Sequence, residues 1–328
     1  MELVTAPRKA RATGARRVVF HATDDWLAQI DANSAPIFKQ IEEVLAGKSI
    51  PCHLIKHASK AAEIALLDPD AAHIMLGAPA LFGPRILHLS QAPIWGFWHL
   101  DELGAGWQSS LRLSEFDSHN IDEERATYFF NGVSGYMLRE NVSIDPQEHR
   151  MRGTLQGAKA TVFCQAQAKD TADAAYLTTE EMIRTAAEFD TTSTVYVKLS
   201  LDQSKDERRH VMAVTQDYPN VKLSEASTHD LVEASDLVIT QNATAGFEAL
   251  MQKCPVITCA KSPYWHATLT AKNRADLREA LEYGTLAMFD FPYEKYFYWS
   301  LQKHGFEPAK EVFAKRFLAR LYDKTMWR

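Results

Sequence analysis

Strand-length apolar runs alternate with amphipathic helical stretches twice along this chain. No other feature constrains the fold as tightly. In the first series, residues 17–20, 51–55 and 73–76 read as strands. Residues 35–46 and 59–67 between them read as helices. Ile37, Phe38, Ile41, Val44 and Leu45 share one helical face, and Gly47 is the expected stop. Strands joined through helices cannot pair as hairpins, so a parallel sheet is expected. The second series places strands at 161–164, 194–199, 221–223, 236–240 and 255–259. Helices are expected at 178–188, 206–217, 229–234, 246–253 and 274–283, with Thr178 or Thr179 and Ser227 or Thr228 as caps. Residues 1–16 read as a flexible basic lead-in. Residues 86–106 look irregular and aromatic-rich, 121–130 helical, 131–150 a polar loop, and 292–328 mainly helical. The expected fold class is α/β, with two Rossmann-like domains facing a cleft and C-terminal helices. The boundaries fall at 1–155, 156–291 and 292–328.

Composition narrows the function classes. The 328 residues fit two domains of about 150 each. Net charge is 36 − 42 = −6, so no basic excess suggests nucleic acid as a partner. No run approaches the about 18 apolar residues of a membrane span. The four cysteines form no CxxC pair and no zinc spacing, so no metal site is expected. The N-terminus has charge but no apolar core of a secretory signal, and a cytoplasmic location is expected.

The segment that carries chemistry is 231–250, followed by Pro255-Val-Ile-Thr258. A buried strand ends in the small polar turn Gln241–Ala245, and a helix starts near Gly246. Asn242, Thr244 and backbone N–H groups at a helix start form an anion site. Small residues at 243, 245 and 246 leave room for a phosphate. Glu248, in the first helical turn, is positioned for a ribose or sugar hydroxyl. An ordinary strand–turn–helix connection with Thr244 as a cap is the alternative.

Asn242-Ala-Thr-Ala-Gly-Phe-Glu-Ala-Leu250 and Pro255-Val256 resemble the donor-binding half of GT-B glycosyltransferases. More narrowly, they are similar to the bacterial capsule polysaccharide biosynthesis family, which includes the Kdo transferases. Ser262-Pro-Tyr264 with Leu269-Thr270 resembles the following loop. Val162–Asp170 resembles the first strand of the second domain, with its Gln and Asp. The resemblance covers roughly 160–300. It implies a GT-B-like fold, an acceptor-side domain at 1–155 and a nucleotide-sugar domain at 156–291. The implied activity is sugar transfer from a nucleotide-sugar donor, CMP-Kdo being the leading choice, without metal or cofactor. One departure stands out. Where the family has Lys-x-His-Pro, this chain reads Val197-Lys-Leu-Ser200. Lys198 and Ser200 would still supply a cation and a donor.

The resemblance implies Asp170 as nucleophile or base, beside Gln165 and Gln167. Glu140 is the acceptor-side candidate, with solvated surface charge as the alternative. His266, in the loop beside the expected donor site, is a candidate replacement for the missing phosphate contact. The donor set is thus Gln167, Lys198, Ser200, Gln241, Asn242, Thr244, Gly246, Glu248 and His266. Asp68-Pro-Asp70 precedes a strand rather than ending one, so its DxD pattern is discounted. Asp101 and Glu102, in an aromatic stretch, could line an acceptor groove. The tail sets Phe313, Phe317 and Leu321 opposite Lys315, Arg316, Arg320 and Lys324. A helix docked on the body and a helix drawn to anionic lipid both fit that pattern. The expected partners are a nucleotide-sugar donor, a glycan or glycolipid acceptor, and the inner face of the cytoplasmic membrane. The alternative function is a non-catalytic binding protein of polysaccharide assembly or export.

Overall fold

A computed structural model of the protein describes residues 1–12, 14–167 and 173–327. The chain forms two compact units. One comprises Met1–Ala92, Gly96–Ser110 and His304–Arg328, and the other Pro93–Trp95 and Leu111–Lys303.

The first unit is a six-stranded sheet of β1 (Glu2–Leu3), β2 (Arg17–Ala22), β3 (Cys52–Lys56), β4 (Ala71–Leu76), β5 (Ile86–Gln91) and β6 (Trp98–Asp101). Their spatial order is β1-β3-β2-β4-β5-β6. Only the β5–β6 pair is antiparallel. Every residue of β2 and β4 is buried, as expected of parallel strands covered on both faces. On one face Val18, Phe20, Ile74, Leu76 and Leu89 meet Phe38, Ile41 and Leu45 of α2 (Ile37–Ala46). The C-terminal helix Phe313–Thr325 joins this core through Phe313, Phe317 and Leu321, which its 3.6-residue period stacks on one face. On the other face, α3 (Lys60–Ala65), capped by Ser59, packs Ala61, Ala62 and Ala65 against Val19 and Ile55. The short α1 (Asp24–Asp31) follows β2.

Several expectations change here. The lead-in is structured: β1 pairs with β3, and Val4 and Ala10 are buried. The buried Arg17 guanidinium explains this. It pairs with Asp68 at 2.8 Å and also donates to the carbonyls of Ala10 and Arg11. Each partner of the buried ion pair is therefore satisfied, which such a pair requires. Asp68 thus has a structural role. Asp101 does too, accepting from the backbone N–H groups of Leu103, Gly104 and Ser110. The stretch 86–106 contains two strands rather than irregular chain. On the tail, Arg316 donates to Gly305 O, Arg320 to Leu100 O, and Lys324 pairs with Glu102. Of the four basic groups named on that face, Lys315 remains exposed.

The second unit opens with α4 (Glu123–Glu140), an 18-residue helix capped by Asp122 and ended by Asn141 in the left-handed conformation. The helix extends ten residues beyond the expected 130 end. Gly132 and Gly135 lie inside it, and burial of Phe130, Ser134 and Met137 outweighs their unfavourable propensity. A fully parallel sheet follows: β7 (Ala158–Phe163), β8 (Thr194–Lys198), β9 (Val221–Leu223), β10 (Ser235–Thr240), β11 (Val256–Thr258) and β12 (Leu269–Thr270). The connecting helices are α5 (Thr179–Phe189), α6 (Lys205–Gln216), α7 (Thr228–Glu233), α8 (Thr244–Ala249) and α9 (Arg274–Ala287). Thr178 with Glu181 and Ser204 with Glu207 form complete capping boxes. Near the end of this unit, α10 (Tyr293–Phe297) sets Phe297 edge-on to Phe130 of α4 and against Phe247 of α8. Residues 123–157 and 292–303 therefore belong to this unit, whereas 304–328 belong to the first. Aromatic packing, rather than sequence proximity, sets the division.

Sheet order β12-β11-β10-β7-β8-β9 is the doubly wound order. The winding reverses between β7 and β10, the place where doubly wound sheets characteristically carry their ligand sites. The loop after β7 carries Gln165 and Gln167, and the loop after β10 carries Gln241 and Asn242.

Candidate functional site

The two switch-point loops are joined by amide side chains. Gln165 Nε2 donates to Asn242 Oδ1 at 3.0 Å, and Asn242 N–H donates back to Gln165 Oε1 at 3.1 Å. Gln167 Nε2 donates to Gln241 Oε1 at 3.0 Å. The buried Gln241 in turn donates to Leu177 O at 2.7 Å. Asn242 Nδ2 reaches Lys261 O at 2.8 Å, beyond β11. Four amides thus fix the turn to three neighbouring segments and leave it little freedom to relax.

Burial divides the motif. Asn242, Ala243, Thr244 and Ala245 are partly exposed, while Gly246, Phe247, Glu248, Ala249 and Leu250 are all buried. The start of α8 has Ala243 as its N-cap, with no side chain capping it. Thr244 is therefore the first helical residue rather than the cap, in the turn whose opening N–H groups have no partner within the helix. This accessible turn is suited to an anionic oxygen ligand.

The buried half performs a different task. A Cβ on Gly246 would sit 2.6 Å from Tyr264 Oη and 2.8 Å from Thr240 Cγ2. The missing side chain makes room for a tyrosine rather than a phosphate. Tyr264 Oη uses that approach to donate to Ala243 O at 2.5 Å. Phe247 packs edge-on against the same ring. Glu248 points inward, 1% exposed. It accepts from Ser143 Oγ at 2.8 Å and from Ile144 N–H at 3.1 Å. Burial pushes its carboxyl up to about 7, against the two hydrogen bonds and Lys198, which favour the charged form. The Asp145 charge adds to the rise. Glu248 thus anchors the loop that leaves α4, and it does not face a ligand at the turn.

Lys198 ends β8 and donates to Ala226 O at 2.7 Å. Burial lowers its pKa, while Glu225, Asp145, Glu248 and Glu148 pull it back up. Ser200 N–H donates to Gln203 Oε1, and Ser200 O accepts from Arg208, in the tight connection to α6. Gln167 N–H donates to Glu207 at 2.7 Å, linking the β7 loop to the start of that helix.

Two candidates lie elsewhere. Glu140 is at the exposed end of α4, paired with Arg139 at 2.7 Å. It belongs to a solvated helix end rather than to a polar loop. His266 Nε2 is 2.7 Å from Ser114 O, and its ring packs between Trp265 and Trp299. Asp170 lies outside the described residues. Among the described residues, no group of three or more His, Cys, Asp or Glu side chains is placed to hold a metal ion. Nor is any helix long and apolar enough to cross a membrane. Sequence reasoning missed Ser143 and Ile144, 105 and 104 positions from Glu248. It quoted Tyr264 only as part of a loop.

A model of the family described as "Capsule polysaccharide biosynthesis protein" matches residues 112–293, more than half of the chain. The chain belongs to that family. No curated protein matches it in sequence. Among solved structures, the Thermosulfurimonas dismutans KpsC β-Kdo 2,7 transferase is similar at 15% identity and TM-score 0.51, over 80% of this chain and 88% of that one. The KpsC β-Kdo 2,4 transferase of the same organism gives 15% and 0.49, over 80% and 89%. A UDP-GlcNAc 2-epimerase from Neisseria meningitidis, bound to UDP-GlcNAc, gives 10% and 0.40, over 94% and 100%. The first likeness shows the fold: this capsule-family chain is α/β and GT-B-like, with C-terminal helices. The family match spans almost all of the second unit's long segment, and so includes both switch-point loops.

Proposed function

We propose that the protein is a glycosyltransferase of bacterial surface polysaccharide synthesis that takes its sugar from a nucleotide-sugar donor. The observation that carries the reading is the division of the motif at residue 246. A fixed, accessible turn of amide, hydroxyl and N–H groups lies at a topological switch point, in a chain of the capsule family. The donor's phosphate would rest on Asn242 and Thr244, with Gln165, Gln167 and Gln241 holding the turn in place. These neutral donors would stabilise the leaving phosphate by preorganised hydrogen bonds, so the reaction would need no metal. CMP-Kdo is the leading donor, since the structural relative with the higher TM-score is named as a Kdo transferase. The acceptor would be a glycan or glycolipid. Asp170 is the proposed reacting carboxylate, by resemblance.

A second reading draws on Lys198. Its ammonium is bonded to Ala226 O, and Leu199-Ser200 replaces His-Pro, which fits a member that binds donor or glycan without turning it over.

Thermal stability against CMP, UDP and GDP tests the binding. A nucleotide at 100 times its dissociation constant adds about 2.7 kcal/mol. A response to CMP that Asn242→Ala and Thr244→Val both reduce supports the site. A response to UDP or GDP alone overturns the CMP-Kdo choice. No response to any nucleotide from the folded protein overturns the reading. Turnover of the donor then separates the transferase from the binding protein.

A further inference from the structure

A pocket of about 380 Å³ in the second unit is lined by Arg112, Leu113, Glu115, Phe116, Trp265 and His266. It is at the small end of the about 300–1,000 Å³ range of ligand sites. The indole of Trp265 is one of its walls. One indole face is occupied: the His266 ring lies 4.2 Å away at 27°. Trp265 is nevertheless 45% exposed, so the open area belongs to its other face and edge. The supporting imidazole is held firmly. A backbone carbonyl only accepts, so the His266 Nε2 facing Ser114 O carries the proton. Burial lowers the pKa of this imidazole, which keeps the ring neutral. Its Nδ1 is buried and has no hydrogen-bond partner among the described residues, and Trp299 packs edge-on at 4.9 Å. Phe116 rests on Tyr296 and Trp299 behind the pocket. The pocket thus joins packed aromatic rings to two exposed charged residues, Arg112 and Glu115.

This pocket is tied to the donor turn. Tyr264, which bonds Ala243 O, immediately precedes Trp265. We infer that the open face of Trp265 is a subsite for a sugar ring bearing a carboxylate. This rests on the glycosyltransferase reading. A pyranose presents C–H groups to an aromatic face and hydroxyls to its rim, where Glu115 would accept them. Arg112 matches a carboxylate with two parallel N–H donors, a geometry that a neutral sugar cannot use. The ring would come from the donor's glycosyl group or from the acceptor glycan.

Fluorine NMR of the protein labelled with 5-fluorotryptophan provides the test. The chain has seven tryptophans, and the Trp265 line is the one lost in Trp265→Phe. The probes are methyl glucuronide, methyl glucoside, CMP and UDP. The glucuronide should shift the Trp265 line at about tenfold lower concentration than the glucoside, the scale of one charge-assisted pair. Arg112→Gln should abolish that preference. A Trp265 line that neither sugar moves, or that a free nucleotide moves instead, overturns the subsite. Equal response to the two sugars overturns the role of Arg112. Nucleotide-induced stabilisation reports the donor site separately. Nucleotide binding without a sugar response sinks only the subsite, whereas a sugar response without nucleotide binding sinks the donor reading. Nucleotide-sugars and free glycosides, compared on the same line, identify the source of the ring.

Discussion

Glu248 should make the protein less stable as pH rises, and Glu248→Gln should remove that dependence. The carboxyl is held near 7 in the folded chain against an ordinary 4.5. Below 4.5 both states are protonated and the group has no effect. Between 4.5 and 7 the unfolded chain releases the proton and the folded chain keeps it, so stability falls with rising pH. Above 7 the loss is complete. Integrating between pH 5 and pH 8 gives about 2.5 kcal/mol from this one residue. That is a large part of the about 5–15 kcal/mol that holds a domain together. Glutamine keeps an acceptor for Ile144 N–H and a polar group for Ser143, without a charge to desolvate. The assay is urea unfolding of both proteins across pH 5–8. Other titrating groups, the buried histidines included, are common to both and cancel in the difference. The variant should gain about 2.5 kcal/mol relative to the parent from pH 5 to 8. Parallel curves would refute the claim that Glu248 is buried as a desolvated anchor.

Other outcomes follow from the same packing. His21 and His73 face each other across β2 and β4, Nε2 to Nδ1 at 3.0 Å, and burial lowers them from 6.5 to about 3 and about 4. Stability is full above 6.5 and falls as pH drops toward the folded values, by about 2 kcal/mol per histidine at pH 5. His73→Asn should lower the acid midpoint seen by circular dichroism, and an unchanged midpoint would contradict the pairing. Gly246→Ala should cost about 1–3 kcal/mol by forcing Tyr264 away. Tyr264→Phe should add little further loss on that background, and full additivity in the double-mutant cycle would exclude the contact. Asp68→Asn should cost about 3–5 kcal/mol by stranding the buried Arg17 charge, which melting temperature reports.

Much of the architecture was legible because parallel strands covered on both faces are short, apolar and separated by helices. Two helix starts were narrowed to a pair of residues each, and Thr178 and Ser227 are the ones that cap, whereas the Ser204 cap was not anticipated. The failures have physical causes. Gly132 and Gly135 have poor helix propensity, yet tertiary burial carries α4 past them to Glu140. β5 has His88 and Ser90 inside it, which obscured an apolar run. The basic lead-in is ordered by one guanidinium, and no local pattern announces that. The turn Gln241–Ala245 stood out as a candidate because its small polar residues interrupt an apolar strand. The inward direction of Glu248 was not, because its partners are more than a hundred residues away. Tyr264, two residues before His266, makes the contact with the turn, and His266 itself stacks on Trp265.

The central claim is that the motif has an accessible half that meets donor and a buried half that holds the fold. Calorimetric titration of the stabilising nucleotide into the parent, Asn242→Ala, Thr244→Val and Glu248→Gln tests it directly. The account predicts that each turn variant weakens binding by about tenfold, the 1.4 kcal/mol of one lost hydrogen bond, while Glu248→Gln binds as the parent does. Loss of affinity in Glu248→Gln with both turn variants unaffected would contradict it.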